Sequence, residues 1–292
     1  MNEKPILEVN EISKKFKQFS LTDISFKLPA GYIMGYVGQN GAGKTTTLNL
    51  ITQLFKKNSG TIRVNGITYD EDPIAYKEAI GYVGDESYFP LTFTVKDVKG
   101  IMKDFFRTFD ENKFDEIVSE WNLPLTKKVK DYSKGMKVKL MFATIFARDT
   151  KLLILDEATS GLDPIVRSEV LDLLQDYIAD GERSVLFSTH ILNDLEKIAD
   201  YIFFIDNGKK VLYDSKDEII ENYVMVKGGV DDLNEELAKQ LIGITKSQVG
   251  FEALLESDKV EYLSRELLVE KASIDHIVLH YIRQMKGKKV RI

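Results

Sequence analysis

Gly38-Gln39-Asn40-Gly41-Ala42-Gly43-Lys44-Thr45-Thr46 is the stretch on which the reading of this chain turns. It fits the pattern of a glycine, four free positions, and then Gly-Lys-Ser/Thr. Each residue type has a physical task there. Glycines let the backbone curl so that successive N–H groups point inward at phosphate oxygens. Lys44 can reach β- and γ-phosphates, and the Thr45 hydroxyl can ligate Mg²⁺. The flanks agree: Tyr32-Ile33-Met34-Gly35-Tyr36-Val37 reads as a buried strand, and Leu48, Leu50, Ile51 and Leu54 recur at helical spacing. The loop is therefore expected at a helix N-terminus, where anions are favoured.

Other strands end in chemistry of the same kind. Leu152-Leu153-Ile154-Leu155 is fully apolar and delivers Asp156 and Glu157; Ser184 to Ser188 ends at Thr189-His190; Ile80 to Gly84 delivers Asp85 and Glu86. An apolar strand with acids at its C-terminal end suits the holding of Mg²⁺ and the placing of a water. The phosphate loop, the two acids and His190 thus fall at the carboxyl ends of predicted parallel strands. Open α/β sheets bind ligands along that edge.

Upstream, Ile6 to Asn10 and Leu21 to Leu28 read as strands, and Thr61 to Gly66 as a strand ending in an Asn-Gly hairpin signal. Between the first two lies Lys14-Lys15-Phe16-Lys17-Gln18-Phe19. An aromatic just before a phosphate loop can stack on a base; taken alone, Phe16 reads as an ordinary turn aromatic. From Thr94 to Ala147 helical periodicity replaces strand signals, as an inserted helical subdomain over about residues 87–150 would show. Its aromatics, Phe89, Phe93, Phe105 and Phe106, read as core, with a docking surface for a partner helix as the second reading. Ser133 is placed to cap the helix that carries Leu140, Met141, Ile145 and Phe146. The same hydroxyl, with free N–H groups beside it, could instead form a second anion site. Ser160-Gly161-Leu162-Asp163-Pro164 is a turn, and Val170, Leu171, Leu174 and Ile178 mark the helix after it.

A first domain is expected over residues 1–218. An accessory α+β region follows over 219–292, with strands at Tyr223 to Lys227 and Val249 to Leu254 and helices at Asp232 to Leu241 and Ile274 to Met285. His276 and His280 stand four apart on the last helix, but without the Glu of a zinc-protease pattern they read as surface or packing residues. The tail from Lys286 to Arg291 is basic and reads as a solvated end.

Composition narrows the classes further. Of 292 residues, 43% are hydrophobic and 29% charged, ordinary for a globular chain. A net charge of −6 argues against a general nucleic-acid binder. The absence of cysteine removes disulfides, thiolate nucleophiles and iron–sulfur clusters together. No apolar run approaches the roughly 20 residues of a membrane helix, and Met1 to Pro5 lacks signal-peptide character. The expected location is cytoplasmic, with any membrane role supplied by a partner.

With these residues in order, the chain resembles the ATPase subunit of an ABC transporter over roughly residues 6 to 215. The matching elements follow the family's order: Gly38–Thr46, Tyr132-Ser133-Lys134-Gly135-Met136, Leu152 to Glu157, Ser160 to Asp163, and His190. The fold implied is an α/β P-loop core with a mostly parallel sheet. On matching positions the resemblance implies an ATP site. Phe16 would stack on adenine. Gly38, Asn40, Gly41, Gly43, Lys44, Thr45 and Thr46 would hold the phosphates. Thr45, Asp156 and Asp85 would hold Mg²⁺, Glu157 would polarise the attacking water, and His190 would contact the γ-phosphate. Ser133 and Gly135 would cap the γ-phosphate bound to a second ATPase subunit in a head-to-tail dimer, and Asp163 would be a further nucleotide-binding residue.

Three positions, in two segments, depart from the pattern. Lys134 and Met136 stand where the family's signature has a first glycine and a Gln, which implies altered affinity. Asp85, with Glu86 beside it, stands where the family places a coupling Gln. A carboxylate can still ligate Mg²⁺, and either acid could fill that role. The signature and the C-terminal region resemble ATPases of bacterial ABC-2-type exporters of drugs, bacteriocins and phenol-soluble modulins. That implies a separate membrane permease subunit, a place on the inner face of the cell membrane, and export of amphipathic or hydrophobic compounds such as antimicrobial peptides. The competing class, a soluble ABC ATPase acting on ribosomes or DNA, usually has two cassettes or long coiled coils. This chain has one cassette and no sustained heptads.

Overall fold

A computed structural model describes residues 4–263 and 267–289. The amino terminus Met1–Glu3 and the tail end Val290–Ile292, both read above from sequence, lie outside the described residues. In chain order the first elements are β1 (Pro5–Lys15), β2 (Ser20–Pro29), β3 (Ile33–Val37), α1 (Lys44–Ile51), β4 (Ser59–Val64), α2 (Pro73–Glu78) and β5 (Ile80–Gly84). Then come α3 (Val95–Phe105), α4 (Glu111–Glu120), α5 (Lys134–Phe146), β6 (Leu152–Asp156), α6 (Pro164–Ile178), β7 (Ser184–Ser188), α7 (Leu192–Ile198), β8 (Tyr201–Asp206) and β9 (Lys209–Ser215). The chain closes with α8 (Lys216–Glu221), β10 (Tyr223–Gly228), α9 (Glu235–Gln240), β11 (Ile242–Lys246), β12 (Phe251–Glu256), β13 (Leu268–Lys271) and α10 (Ile274–Lys289).

These elements form two compact units. One runs to Ile191 and takes in Tyr201–Tyr213; the other comprises Leu192–Asp200 and the chain from Asp214 on. The first unit is built on a six-stranded sheet in the order β5-β6-β7-β3-β8-β9. The ladders β5–β6, β6–β7, β7–β3 and β3–β8 are all parallel, and β9 folds back from β8 at Asn207-Gly208. Every residue of β3, β6 and β7 is buried, because both faces are covered. That is why these strands read as unbroken apolar runs rather than alternating ones. A smaller antiparallel sheet, β2-β1-β4, shares the core, where Phe26 packs on Phe203 and the Tyr36 and Phe203 rings stack at 4.8 Å.

The helical stretch differs from expectation in one respect. The sequence predicts helical periodicity running on from Thr94, yet α3 stops at Phe105 and Phe106 is extended. The buried face of α3 is Val95, Val98 and Met102, so continuing it would bury nothing more. Asp110 then starts α4, its carboxylate accepting from the Asn112 and Lys113 N–H groups. Of the four aromatics read as core, only Phe89 is buried; Phe93 and Phe106 are half-buried, and Phe105 is 76% exposed. Leu54, counted with the phosphate-loop helix, lies past its end and is exposed.

The second unit holds a four-stranded antiparallel sheet, β11-β12-β10-β13, over a core of Val226, Leu241, Phe251, Ala253 and Leu255. Strands β11 and β13 were not legible as alternating patterns. Gly243 interrupts β11 at φ 62° where the register slips, and β13 is a short exposed edge. The tie between β11 and α10 is tight: a Cβ at Gly243 would come within 1.9 Å of the His280 carbonyl oxygen. His280 is buried and sits 2.7 Å from the Gly243 oxygen through Nδ1, while His276 bonds to Ser273 at the helix start. Both histidines are engaged in packing and capping. Among the described residues no cluster of His, Asp or Glu is arranged to hold a metal on its own.

Candidate active site at the carboxyl edge of the parallel sheet

Four neighbouring strands deliver the chemistry. β5 ends before Asp85, β6 at Asp156-Glu157, β7 before Thr189-His190, and β3 before the loop at Gly38. Parallel register sets Gly84 opposite Asp156 and Asp156 opposite Ser188, so the ends are level. They border a cleft of about 760 Å³, within the range of small-molecule sites. Its lining includes Asn40, Gly41, Gly43, Lys44, Thr45, Thr46, Asp85, Glu157 and His190.

The loop is organised for an anion. Gly43 sits at φ 116°, and a Cβ there would come to 3.0 Å from the Phe19 ring; only glycine meets both conditions. The helix it starts, α1, has no side-chain cap and no acid in its first turn. Its first N–H groups therefore lack the partner that a capping side chain would give. Lys44 is 6% exposed, with its Nζ 2.7 Å from the Gly38 oxygen and 3.4 Å from Glu157 Oε1. A buried ammonium needs such oxygens, and phosphate oxygens would serve equally.

The acids are distinct in environment. Asp156 is buried, and burial pushes its carboxyl above the ordinary carboxylate range, against the Thr45 and Ser188 hydroxyls that favour the charge. Thr45 Oγ1 lies 3.4 Å from Asp156 Oδ1. Two hard oxygen donors side by side at the phosphate loop fit Mg²⁺, which takes few protein ligands beside phosphate and water. Burial, and then the neighbouring Asp156 charge, pushes the Tyr82 hydroxyl up to about 12. Glu157 stands at φ 55°, a strained setting for a side chain of this kind. Its Oε2 is 2.5 Å from His190 Nδ1 and 3.3 Å from the His190 backbone N. The turn thus aims the carboxylate into the cleft between Lys44 and His190.

Other expected site residues lie elsewhere. Phe16 does not line the cleft; it packs on Phe55 at 5.8 Å with the Lys14 ammonium over its ring, while Phe19 and Gln18 line the cleft. The turn closed by the Phe16 N–H on the Phe19 oxygen puts the two aromatics in different places, which composition alone does not reveal. Gly38 contributes its oxygen from behind Lys44. Ser133 caps α5 by accepting from the Met136 N–H at 3.2 Å, and Asp163 caps α6 by accepting from Ile165 and Val166. A Cβ on Gly135 would come within 2.9 Å of Val166, so glycine lets α5 and α6 approach there. Ser133 and Asp163 are exposed, and neither they nor Gly135 lines this chain's own cleft. Asp85 does line it, with its carboxylate bound to Lys134. Ser160, read from sequence as part of a turn and of a family-matching stretch but not as a site residue, is a further lining residue.

A glycine-rich loop between a parallel strand and a helix, with acids on the next strands, defines a P-loop nucleoside triphosphatase. A family model described as ABC transporter matches residues 21–160. The chain is 32% identical over 239 residues to the ABC transporter ATP-binding protein YtrB of Bacillus subtilis, covering 81% of this chain and 82% of that one. It is 30% identical to the lantibiotic transport ATP-binding protein SrtF of Streptococcus pyogenes, covering 74% of this chain and 95% of the relative. A solved structure titled as the ATP-binding subunit of an ABC transporter superposes with a TM-score of 0.68 at 27% identity, covering 73% of this chain and 91% of that one. The chain belongs to the ABC transporter ATP-binding proteins. It is an ATPase whose hydrolysis is coupled to transport, and subunits of this family dimerise and work with membrane permease subunits. Among the described residues no helix is long and apolar enough to cross a membrane.

Proposed function

We propose that this chain is the ATPase of an exporter, closing head to tail with a second copy or a close relative around two MgATP. The observation that carries the reading is the convergence of Lys44, Thr45, Asp156, Glu157 and His190 at adjacent strand ends. Lys44 and the N–H groups of Gly41, Gly43, Thr45 and Thr46 bind the β- and γ-phosphates, with Asn40 on the same wall. Thr45 and Asp156 hold Mg²⁺, with Asp85 facing the phosphates from the coupling loop. When bound, Mg²⁺ offsets charge on the phosphate oxygens. Glu157 orients the attacking water and draws its proton, and His190 fixes Glu157 while reaching the γ-phosphate. Phe19, which lines the cleft, is the aromatic offered to the adenine ring.

Ser133, Gly135 and Asp163 serve the nucleotide held by the other subunit; the exposure of Ser133 and Asp163 in this chain supports that role. The protein would work at the inner face of the cell membrane against a separate permease, and no nucleic acid is required. Export is favoured by the relative whose name states lantibiotic transport, which points to amphipathic or hydrophobic cargo such as antimicrobial peptides. The test is reconstitution with the permease in liposomes, following a labelled peptide in both directions. ATP-driven movement away from the ATPase side is expected. Movement only toward that side would overturn the exporter reading and leave the ATPase standing.

A further inference from the structure

Two of the three residues that depart from the family pattern meet in space. Lys134 opens α5 and Asp85 follows β5, 49 positions apart, and Lys134 Nζ donates to Asp85 Oδ1. Asp85 stands at a partition. It lines the nucleotide cleft and also a second groove of about 420 Å³ bounded by Glu86, Leu91, Lys134 and Met141. Lys134 lines only the second groove, so it engages Asp85 from outside the cleft. It also sits against the turn after Ser160, since a Cβ on Gly161 would lie 3.6 Å from its Nζ.

Charge gives this pair its significance. A lysine in the first turn of a helix opposes the helix dipole, and α5 has no acid in that turn to offset it. Lys134 is thus poorly placed for α5 and well placed for Asp85. Within the cleft, Lys44 pairs with Glu157, Asp85 is a further lining carboxylate, and Asp156 lies beside Thr45. Carboxylates outnumber lysines in a space that must accept a polyanion.

We propose that Lys134 is a positioning residue for MgATP binding: it neutralises and holds Asp85, and so sets the cleft's affinity from outside it. The inference rests on the MgATP reading of the cleft. Without Lys134, Asp85 presents a bare carboxylate to the triphosphate. Because both partners are partly exposed, the expected effect is about two- to fivefold.

The experiment is a double-mutant cycle read by equilibrium binding of a fluorescent ATP analogue with Mg²⁺ to the full chain. Lys134→Ala should weaken binding about two- to fivefold relative to wild type. Lys134→Arg should restore it, and Lys134→Ala should cause no further loss in the Asp85→Asn background, whatever that background's own affinity. The Lys134 effect should also shrink at about 1 M salt, where charges are screened within about 3 Å. Melting curves establish that each variant is folded, and Lys134→Met supplies a second neutral variant if Ala is unstable. Wild-type affinity in the folded neutral variants, or equal weakening with and without Asp85, would overturn the proposal while the MgATP reading stood. Failure of the wild-type chain itself to bind would overturn both.

Discussion

At the carboxyl edge of the parallel sheet, Asp156, Glu157 and His190 follow strand ends and Lys44 opens α1, with Glu157 bound to both Lys44 and His190 at an open cleft. In the antiparallel sheet of the second unit, polar groups of similar kind are spent on the fold. His280 is held at the Gly243 oxygen, and Arg283 donates to Thr245. The difference follows from topology. Parallel strands joined by helices leave all their carboxyl ends on one edge, where loops converge without having to pair. Antiparallel neighbours reverse at each turn, so no edge collects chemistry. A positive φ at Glu157 in the first unit aims a carboxylate; one at Gly243 in the second, free of strain for glycine, lets a strand meet a helix.

The comparison can be broken by mutation. The largest effect belongs to Glu157→Gln, which should retain MgATP binding and lower steady-state turnover by about 10²–10⁴-fold. A mutant within twofold of wild type in a phosphate-release assay would remove Glu157 from its role. Lys44→Met should lower kcat/KM by about 10²–10³-fold, the usual effect of losing a donor to developing charge. Survival of full activity would mean that the triphosphate lies elsewhere.

Asp156 sharpens the comparison through pH. Its ionised form would hold Mg²⁺, and burial raises its folded pKa above the ordinary value of about 3.9. Protonation therefore begins at a higher pH than for a solvated acid. MgATP affinity should fall as pH drops, by up to about tenfold per unit once the carboxyl is protonated. Asp156→Asn should bind weakly throughout and lack this acid limb in a titration. An unchanged acid limb in the mutant would assign it to another group.

The second unit should answer with stability alone. His280→Ala leaves the Gly243 oxygen without its partner and should cost about 1–3 kcal/mol, with ATP turnover changed less than twofold. Burial lowers the His280 pKa in the fold. The unfolded chain then takes up the proton first, so stability declines as pH falls below about 6.5, and the mutant loses this slope. Denaturant melts at several pH values check it. Smallest of all, Lys139→Ala, which breaks a surface pair with Glu169 at 2.6 Å, should cost under about 1 kcal/mol.

What was legible in the sequence follows the same division. The loop at Gly38–Thr46, the acids after β6 and the histidine after β7 each announce themselves within a few residues, because strand, turn and helix signals are local. Asp85 bound to Lys134, and Phe19 rather than Phe16 in the cleft lining, depend on how distant segments meet. Neither spacing nor composition encodes that meeting. In the second unit, the bulge at Gly243 breaks the alternation that would have marked β11, and β13 gains its identity only by pairing with β10. The membership of Leu192–Asp200 in that unit is likewise a matter of packing.

The most direct test of the division is hydrogen–deuterium exchange of Glu157→Gln with and without MgATP. The strongest protection is expected at Gly38–Thr46, with further protection at Glu157–Ser160 and Thr189–His190 and little change across Tyr223–Glu256. Protection confined to Tyr223–Glu256, or none at Gly38–Thr46 under saturating nucleotide, would contradict the placement of the chemistry at the parallel edge.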